Sequence, residues 1–236
     1  MTESHAIVSS PDWIAARKQL LAREREFTRL RDELSQQRRD LPWERVDKQY
    51  VFQTDAGART LAELFGDHHQ LVVYHFMFAP EWDAGCKSCS FWADNFNGIT
   101  EHLAHRDVRM VAISRAPLAK LQAYARRLGW SFPWVSSSET DFNFDYGVSF
   151  HPEDQAAGDA TYNYAPLTRT VAEQPGISVF YKDASGAVMH TYSCYARGLD
   201  LMNTAYNYLD LVPKGRDEAG PATPMSWLRR RDEYDR

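Results

Sequence analysis

The chain is poor in cysteine, has no excess of basic residues and contains no apolar run long enough to cross a membrane. Among its 236 residues, 27 are basic and 32 are acidic, which gives a net charge of −5. That balance gives no reason to expect nucleic acid or an anionic membrane as a partner. The longest apolar run, residues 71–79, is too short to span a bilayer and contains His75.

The first residues, MTESHAIVSSPDW, lack the basic segment and apolar core of a secretory signal, so we expect a cytoplasmic protein. The three cysteines are an odd number, which argues against a structural disulfide framework. In a reducing compartment, a close cysteine pair is more often catalytic or metal-binding than structural.

The first 45 residues are predicted to form a helical arm. Ser10 is the expected N-cap of a long polar helix that ends near Asp40, and Pro11 follows it in the first turn. An apolar residue recurs every seven positions along this helix, at Trp13, Leu20, Phe27 and Leu34. Such a stripe fits a helix lying on its own domain, and it fits equally well an arm that packs against a second subunit to form a homo-oligomer.

Residues 46–212 are predicted to form an α/β domain. Buried strands at 71–78 and 108–113 alternate with helices at 86–103 and 117–128, and a β-hairpin and a helix at 199–211 follow. This order implies parallel strands first and antiparallel strands at the end. Residues 136–175 form a loop-rich insertion whose many aromatic residues predict that it packs over the cysteines or on another subunit. We expect residues 213–236 to be an irregular tail.

Two of the cysteines, Cys86 and Cys89, form a C-x-x-C pair just after the first buried strand. The apolar stripe of the helix that follows extends back to Cys89, which predicts that Cys89 points inward. Cys86 falls in the first turn, where unpaired N–H groups and the helix dipole stabilise a thiolate. We therefore predict that Cys86 attacks and that Cys89 resolves the mixed disulfide.

Two neighbouring residues are candidate substrate-binding residues. Arg115 follows the second buried strand, and the ends of parallel strands share one edge, so it is expected near Cys86. The Arg115 guanidinium would lower the pKa of the Cys86 thiol or hold an anionic substrate. The alternative is that Arg115 is an ordinary surface arginine. Trp82 walls the site or simply packs. Cys194 is a third redox thiol or a half-buried bystander. A metal site needs about four ligands, and no second ligand motif accompanies the pair, so we expect no metal and no bound cofactor.

The arrangement of strand, C-x-x-C helix, strand, helix, hairpin and helix resembles the thioredoxin fold. The run 113–137, ISRAPLAKLQAYARRLGWSFPWVSS, is similar to the peroxiredoxin-like branch. Nearly the whole chain resembles a bacterial thioredoxin-like family, domain of unknown function 899. That resemblance is carried by short motifs, among them LPW at 41–43, YHFMF at 74–78, CKSCS at 86–90, SRAPL at 114–118, PWVSS at 133–137 and YARG at 195–198.

The resemblance to thioredoxin implies roles for single residues. Cys86 matches the nucleophilic cysteine and Cys89 the resolving one, although Gly85 stands where thioredoxins have tryptophan and Lys87-Ser88 replaces Gly-Pro. Thioredoxins also place a cis-proline opposite the cysteines, before the third strand. The matching stretch here is 175–180, and the comparison puts Ser178 at that substrate-facing position.

Three functions remain open at this point. The first is a thiol–disulfide oxidoreductase or peroxiredoxin-like reductase, which acts on a disulfide or peroxide and is restored by a cellular thiol reductant. The second is a non-catalytic thioredoxin-fold module for binding or assembly, in which the cysteine pair is vestigial. The third is a metal-binding protein.

Overall fold

The computed structural model describes residues 5–220 and 224–235, and the chain divides into two compact units, residues 1–42 and 43–236. The first unit is helix α1, Ser10–Arg39, which confirms the predicted long helix. Its N-cap is Ser9, one residue before the predicted Ser10, and the Ser9 hydroxyl accepts from the backbone N–H of Asp12. No side chain of α1 is buried. The heptad residues Trp13, Leu20, Phe27 and Leu34 are 46–66% exposed.

The second unit is built on an eight-stranded mixed sheet with the order β1-β10-β9-β4-β5-β6-β2-β3. Its strands are β1 (Glu44–Arg45), β2 (Val51–Thr54), β3 (Gly57–Thr60), β4 (Gln70–His75), β5 (Val108–Ser114), β6 (Trp134–Ser136), β9 (Gly176–Lys182) and β10 (Val188–Tyr195). A separate hairpin in the insertion pairs β7 (Thr161–Tyr162) with β8 (Ala165–Pro166).

The helices of this unit are short. They are α2 (Leu61–Leu64), α3 (Lys87–Ala93), α4 (Ile99–Ala104), α5 (Leu118–Leu128), α6 (Phe142–Asp145), α7 (Pro152–Ala157), a 3₁₀ helix (Ala196–Met202) and α8 (Thr204–Leu209). None of the helices in the described ranges combines the length and the apolar character that a bilayer span requires.

The strand directions match the predicted order. β4, β5 and β6 are parallel neighbours, whereas β9 runs antiparallel to β4 and pairs with β10 as a hairpin. The chain has the thioredoxin-like fold, with α3 entering directly after the central strand β4. The ends of β4 and β5 therefore lie side by side, because His75 pairs with Ile113 in register.

Alternation along β4 separates the two faces of the sheet. Tyr74 and Phe76 face a cluster that contains Cys89, Trp92 and Leu121; we call this the cysteine face. The cluster on the other side of the sheet, which we call the opposite face, contains Val73, Phe142 and Phe180. His75 stacks there on the ring of Phe142. Each face thus has its own buried core.

Two predicted helices are wrong in their extent. The helix expected at 86–103 is divided into α3 and α4, because the chain turns at Gly98, which has φ +85°. Ile99, whose spacing from Phe96 and Leu103 would put it on the apolar stripe of a continuous helix, is 41% exposed. The helix expected at 199–211 is a 3₁₀ helix followed by α8, with Asn203 capping the latter by accepting from the N–H of Tyr206.

Candidate active site

Backbone hydrogen bonds fix Cys86 at the start of α3. Cys86 is the N-cap residue, and its N–H donates to the carbonyl of Met77 at 3.1 Å. Its carbonyl accepts from both the N–H and the hydroxyl of Ser90, each at 2.9 Å. The cysteine is therefore bound on one side to the segment after β4 and on the other to the first turn of its helix.

Gly85 allows the loop before Cys86 to pass close to the core. A Cβ atom at Gly85 would lie 2.7 Å from a ring carbon of Phe76 and 3.1 Å from one of Tyr124. The Gly85 carbonyl accepts from the Tyr124 hydroxyl at 3.3 Å and from the Arg230 guanidinium at 2.8 Å. Only a residue without a side chain fits this position unless the aromatic rings move.

The C-terminal tail supports the same loop, which the sequence did not indicate. Arg230 donates to the Tyr124 hydroxyl at 2.6 Å as well as to Gly85. Lys87, which immediately follows Cys86, donates its ammonium group to the carbonyl of Leu228, a fully buried residue. The tail is irregular in structure, but these contacts make it part of the framework of the cysteine loop.

The two sulfurs have opposite environments. The pKa of the half-buried Cys86 thiol is lowered to about 6, mainly because the Cys89 thiol donates to it. The N–H groups of Cys89 and Ser88 and the Ser88 hydroxyl act in the same direction, against burial. Cys89 is 1% exposed, and burial raises the pKa of its thiol well above the ordinary value. The pair therefore consists of a reachable thiolate and a buried thiol that donates to it.

Cys89 also receives hydrogen-bond donors from β4 and the segment that follows it. The N–H of Met77 donates to the Cys89 sulfur at 3.4 Å. The hydroxyl of Tyr74, on the same face of the sheet, lowers the pKa of Cys89 in opposition to burial, although it makes no well-formed hydrogen bond to the resting thiol. A negative charge on Cys89 would therefore meet two donors.

Both cysteines line an open cleft of about 920 Å³. Its walls come from the insertion between 162 and 169, from Gln174 and Pro175, from the 3₁₀ helix and from the tail near Met225. The lining includes apolar side chains as well as the arginines Arg169, Arg197 and Arg216. Arg216 is paired with Asp200 and Asp210, whereas Arg169 is exposed at the rim. The cleft is large enough for a peptide of several residues.

Tyr162 holds the insertion in place beside the cleft. Tyr162 donates its hydroxyl to the carbonyl of Pro175 at 2.7 Å and accepts from the N–H of Ala196 at 2.9 Å. The turn after it has positive φ at both Asn163 and Tyr164, as a two-residue type I′ hairpin requires. The β7–β8 hairpin is thus hydrogen-bonded both to the residue that precedes β9 and to the first residue of the 3₁₀ helix.

The predicted substrate residues lie away from the cleft wall. Trp82 is half-buried against the cysteine-face core, and its carbonyl accepts from Lys120. Arg115 pairs with the buried carboxylate of Glu173 at 2.9 Å and lies over the ring of Phe144. Neither side chain lines the cleft that holds the sulfurs. A role for either in substrate binding stays a prediction.

Ser178 does not face the cysteines. It is fully buried and bonds to the imidazole of His75 at 2.9 Å and to the Ser193 hydroxyl at 2.8 Å. The residue that precedes β9 and lines the cleft is Pro175, and its peptide bond is trans. The predicted substrate-facing position of Ser178 is therefore wrong, since its side chain bonds His75 on the opposite face of the sheet.

The remaining candidates from the sequence are dispersed. Cys194 is half-buried on β10, and its thiol donates to the carbonyl of Gly198 at 3.8 Å. His75 lies in the opposite-face core. Within residues 5–220 and 224–235, no three side chains of the types His, Cys, Asp and Glu come together in a way that could hold a metal ion.

Comparison with known proteins gives a family and several distant structures. The family described as "Bacterial protein of unknown function (DUF899)" matches residues 2–234. No curated protein matches. A cysteine variant of peroxiredoxin Q from Xanthomonas campestris has 14% identity and a TM-score of 0.48, and covers 72% of this chain and 98% of its own. Peroxidoxin BcpB from Mycobacterium tuberculosis has 15% identity and a TM-score of 0.46, over 70% and 94%. A hypothetical protein from Sinorhizobium meliloti has 16% identity and a TM-score of 0.38, over 63% and 68%.

Proposed function

This chain belongs to the bacterial DUF899 family of unknown function, and we propose that it is a thiol–disulfide oxidoreductase with Cys86 as nucleophile and Cys89 as resolving thiol. The observation that supports the proposal is the division of the pair: Cys86 has its thiol pKa lowered to about 6 and lies on an open cleft, while Cys89 is buried one turn deeper. A vestigial pair would have no need for this division.

The reaction follows from that geometry. The Cys86 thiolate attacks one sulfur of a substrate disulfide, the substrate S–S bond breaks, and one half leaves as a thiolate. Cys89 then attacks the Cys86 sulfur of the mixed disulfide. The bond to the second substrate half breaks, that half leaves with the Cys89 proton, and a Cys86–Cys89 disulfide forms. A cellular dithiol or thioredoxin-like reductant returns the pair to two thiols.

The size of the cleft favours a disulfide compound as substrate. A peroxide would occupy only a small part of about 920 Å³, whereas a disulfide between thiols of peptide size would contact the insertion and the 3₁₀ helix together. The proposal places the protein in the cytoplasm, where thiol reductants are abundant and can recycle the pair.

The test is the titration of the two thiols. Ultraviolet absorbance of the thiolate, followed against pH, is expected to show one group with a midpoint near 6 that disappears in Cys86→Ser. In Cys89→Ala the midpoint should rise, because the largest stabilising donor is lost. A wild-type protein that titrates only near ~8.5, like a free cysteine, would argue for a binding module in place of an enzyme.

We also propose that helix α1 associates with a second copy of the chain. The heptad side chains Leu20 and Phe27 are more than half exposed, and a repeat of seven residues presents them along one seam. Phe27→Glu is expected to reduce the mass measured by light scattering, while Thr28→Glu, on another side of the helix, leaves it unchanged. Equal masses for all three proteins would contradict an interface on this seam.

A further inference from the structure

Tyr74 carries a buried hydroxyl that has no hydrogen-bond partner among the described residues. The side chain is 0% exposed, and its hydroxyl makes no hydrogen bond of acceptable geometry with the described residues. A buried hydroxyl without a partner costs about 1–3 kcal/mol. Phenylalanine would avoid that cost, since the ring itself is well packed edge-to-face against Phe76 and Phe96.

The position of this hydroxyl gives it a function. Tyr74 lines the same cleft as Cys86 and Cys89 and belongs to the same core cluster as Cys89. The hydroxyl acts on the Cys89 sulfur in the direction that favours its thiolate form. Burial raises the pKa of Tyr74 well above the ordinary value, so the group stays protonated and keeps its O–H available to donate. Its natural partner is a negative charge that is absent from the resting thiol.

We propose that Tyr74 is a catalytic residue of the resolving step, where its hydroxyl and the N–H of Met77 together hold the negative charge that Cys89 acquires. The inference rests on the proposed thiol–disulfide chemistry. As Cys89 attacks the mixed disulfide, its proton passes to the departing thiolate while Tyr74 keeps its own proton and donates a hydrogen bond to the Cys89 sulfur. In the reverse direction, reduction of the Cys86–Cys89 disulfide at Cys86 expels Cys89 as a thiolate, and the same two donors receive it.

Tyr74 should therefore affect one half of the cycle and not the other. Attack by Cys86 takes place at the cleft surface, where the charge on its sulfur is held by Ser88 and Cys89. The resolving step is the one in which Cys89 becomes negative. A merely structural role for Tyr74 would change both steps together, since both depend on the position of α3.

The two steps can be separated with the dithiobis(nitrobenzoate) reagent, which releases a coloured thiolate at each. The wild type is expected to release one equivalent when Cys86 attacks and a second when Cys89 resolves. Tyr74→Phe should keep the first rate and slow the second by about tenfold, the effect of losing one hydrogen bond to a charged group. Cys89→Ser should give the first release only.

Tyr50→Phe is the matched control, because Tyr50 is a buried tyrosine of the opposite-face core whose hydroxyl bonds to Asp145. Both of its rates should equal those of the wild type. If Tyr74→Phe fails to fold, which its melting curve will show, Tyr74→Leu repeats the test with another apolar residue. Unchanged second release in the folded variant, or a loss that falls on the first release, overturns the role of Tyr74 and leaves the proposed function standing. A wild type that releases nothing from Cys86 contradicts the proposed function and this inference with it.

Discussion

Tyr74 and His75 are neighbours on β4, yet they belong to two buried sites of different character. Tyr74 faces the cysteines and leaves its hydroxyl without a partner. His75 faces the other way and begins a chain of hydrogen bonds that runs through Ser178 and Ser193 to His190, with distances of 2.9, 2.8 and 2.7 Å. The cysteine face holds a single buried hydroxyl beside an ionisable sulfur, whereas the opposite face holds a chain of polar groups that bond one another, with only the Nδ1 of His75 unpaired among the described residues of that chain.

The difference shows how reactive and structural polar groups can be told apart. Burial lowers the pKa of His75 to about 3, so the imidazole is neutral at physiological pH and serves as a fixed hydrogen-bonding group. The chain that begins at His75 passes from one side chain to the next. On the cysteine face, the donors from Ser88, Met77 and Cys89 converge on two sulfurs. In this pair of sites, the donors on the cysteine face act on the two sulfurs, while the chain that begins at His75 links neutral groups to one another.

The largest effect that this comparison predicts is the loss of activity in Cys86→Ser. A serine hydroxyl does not ionise at neutral pH, so disulfide reduction should fall to the background rate. Ser193→Ala, in the chain on the opposite face, should retain the activity of the wild type. Turnover of a small disulfide by the three proteins, each with a reductant in excess, measures both effects. Comparable losses in the two variants would refute the separation of the faces.

The sequence predicted the cysteine face because its signals are local. The long apolar runs at β4 and β5 and the period of the helix after them are enough to place Cys89 inward and Cys86 at the helix start. The break at Gly98 was not predicted, because the apolar spacing continues across it in the sequence. The glycine itself was the available signal, since glycine weakens a helix and permits positive φ.

The rest of the site depends on contacts between residues that are distant in the sequence. Arg230 reaches Gly85 from the tail, and no pattern in the tail indicates which loop it supports. The face of Ser178 was not predictable, because side chains alternate along β9 and the likeness to thioredoxin did not fix which residue of 175–180 faces the cleft. The sequence places Tyr74 in an apolar strand and indicates nothing more, because a sequence does not show whether a buried hydroxyl has a hydrogen-bond partner.

Glu173 is a buried ionisable group outside the cysteine pair, and its titration gives a further test of how burial acts on such groups. It is 3% exposed, accepts from Arg115 and Ser149, and has its pKa raised to about 7, chiefly by burial. A raised pKa means that the folded state keeps the proton longer than the unfolded state does. The resulting stability is complete below the unfolded value of 4.5 and is lost as pH rises through about 7.

We expect the stability of the wild type relative to Glu173→Gln to fall by about 3 kcal/mol across that range, from 1.36 kcal/mol per pKa unit. Urea unfolding at a series of pH values measures the difference, and the neutral glutamine removes the titration while leaving other groups in place. Parallel curves for the two proteins would show that Arg115 keeps the carboxylate ionised throughout.

Gly85→Ala sharpens the comparison at the cysteine loop itself. The new Cβ would lie 2.7 Å from Phe76, so the ring or the loop must move. Overpacking of this kind costs about 2 kcal/mol, and the displaced loop carries Cys86 with it. The variant should lose thermal stability and also raise the pKa of the Cys86 thiol, which thiolate absorbance detects. Gly220→Ala, where no atom lies within 4 Å of the added carbon and φ is not positive, is the control for a glycine replaced without a clash. A stable Gly85→Ala protein with an unchanged thiol pKa would show that the loop tolerates the shift.

Ser178→Ala is expected to have the smallest effect, and it measures what the chain on the opposite face contributes. The substitution removes the bridge between His75 and Ser193 and leaves the imidazole of His75 without its one hydrogen bond from a side chain. Because the net value of a neutral hydrogen bond is about 1 kcal/mol, the free energy of unfolding should fall by that order. The rate of disulfide reduction should not change, since Ser178 contacts neither sulfur nor the cleft. Parallel measurement of unfolding and turnover in Ser178→Ala and Tyr74→Phe then gives opposite patterns: a loss of stability with intact chemistry in the first, and slowed resolution with an intact or more stable fold in the second. A Ser178→Ala protein that folds normally but reduces disulfides slowly would return Ser178 to the substrate-facing role that its place in the sequence first suggested.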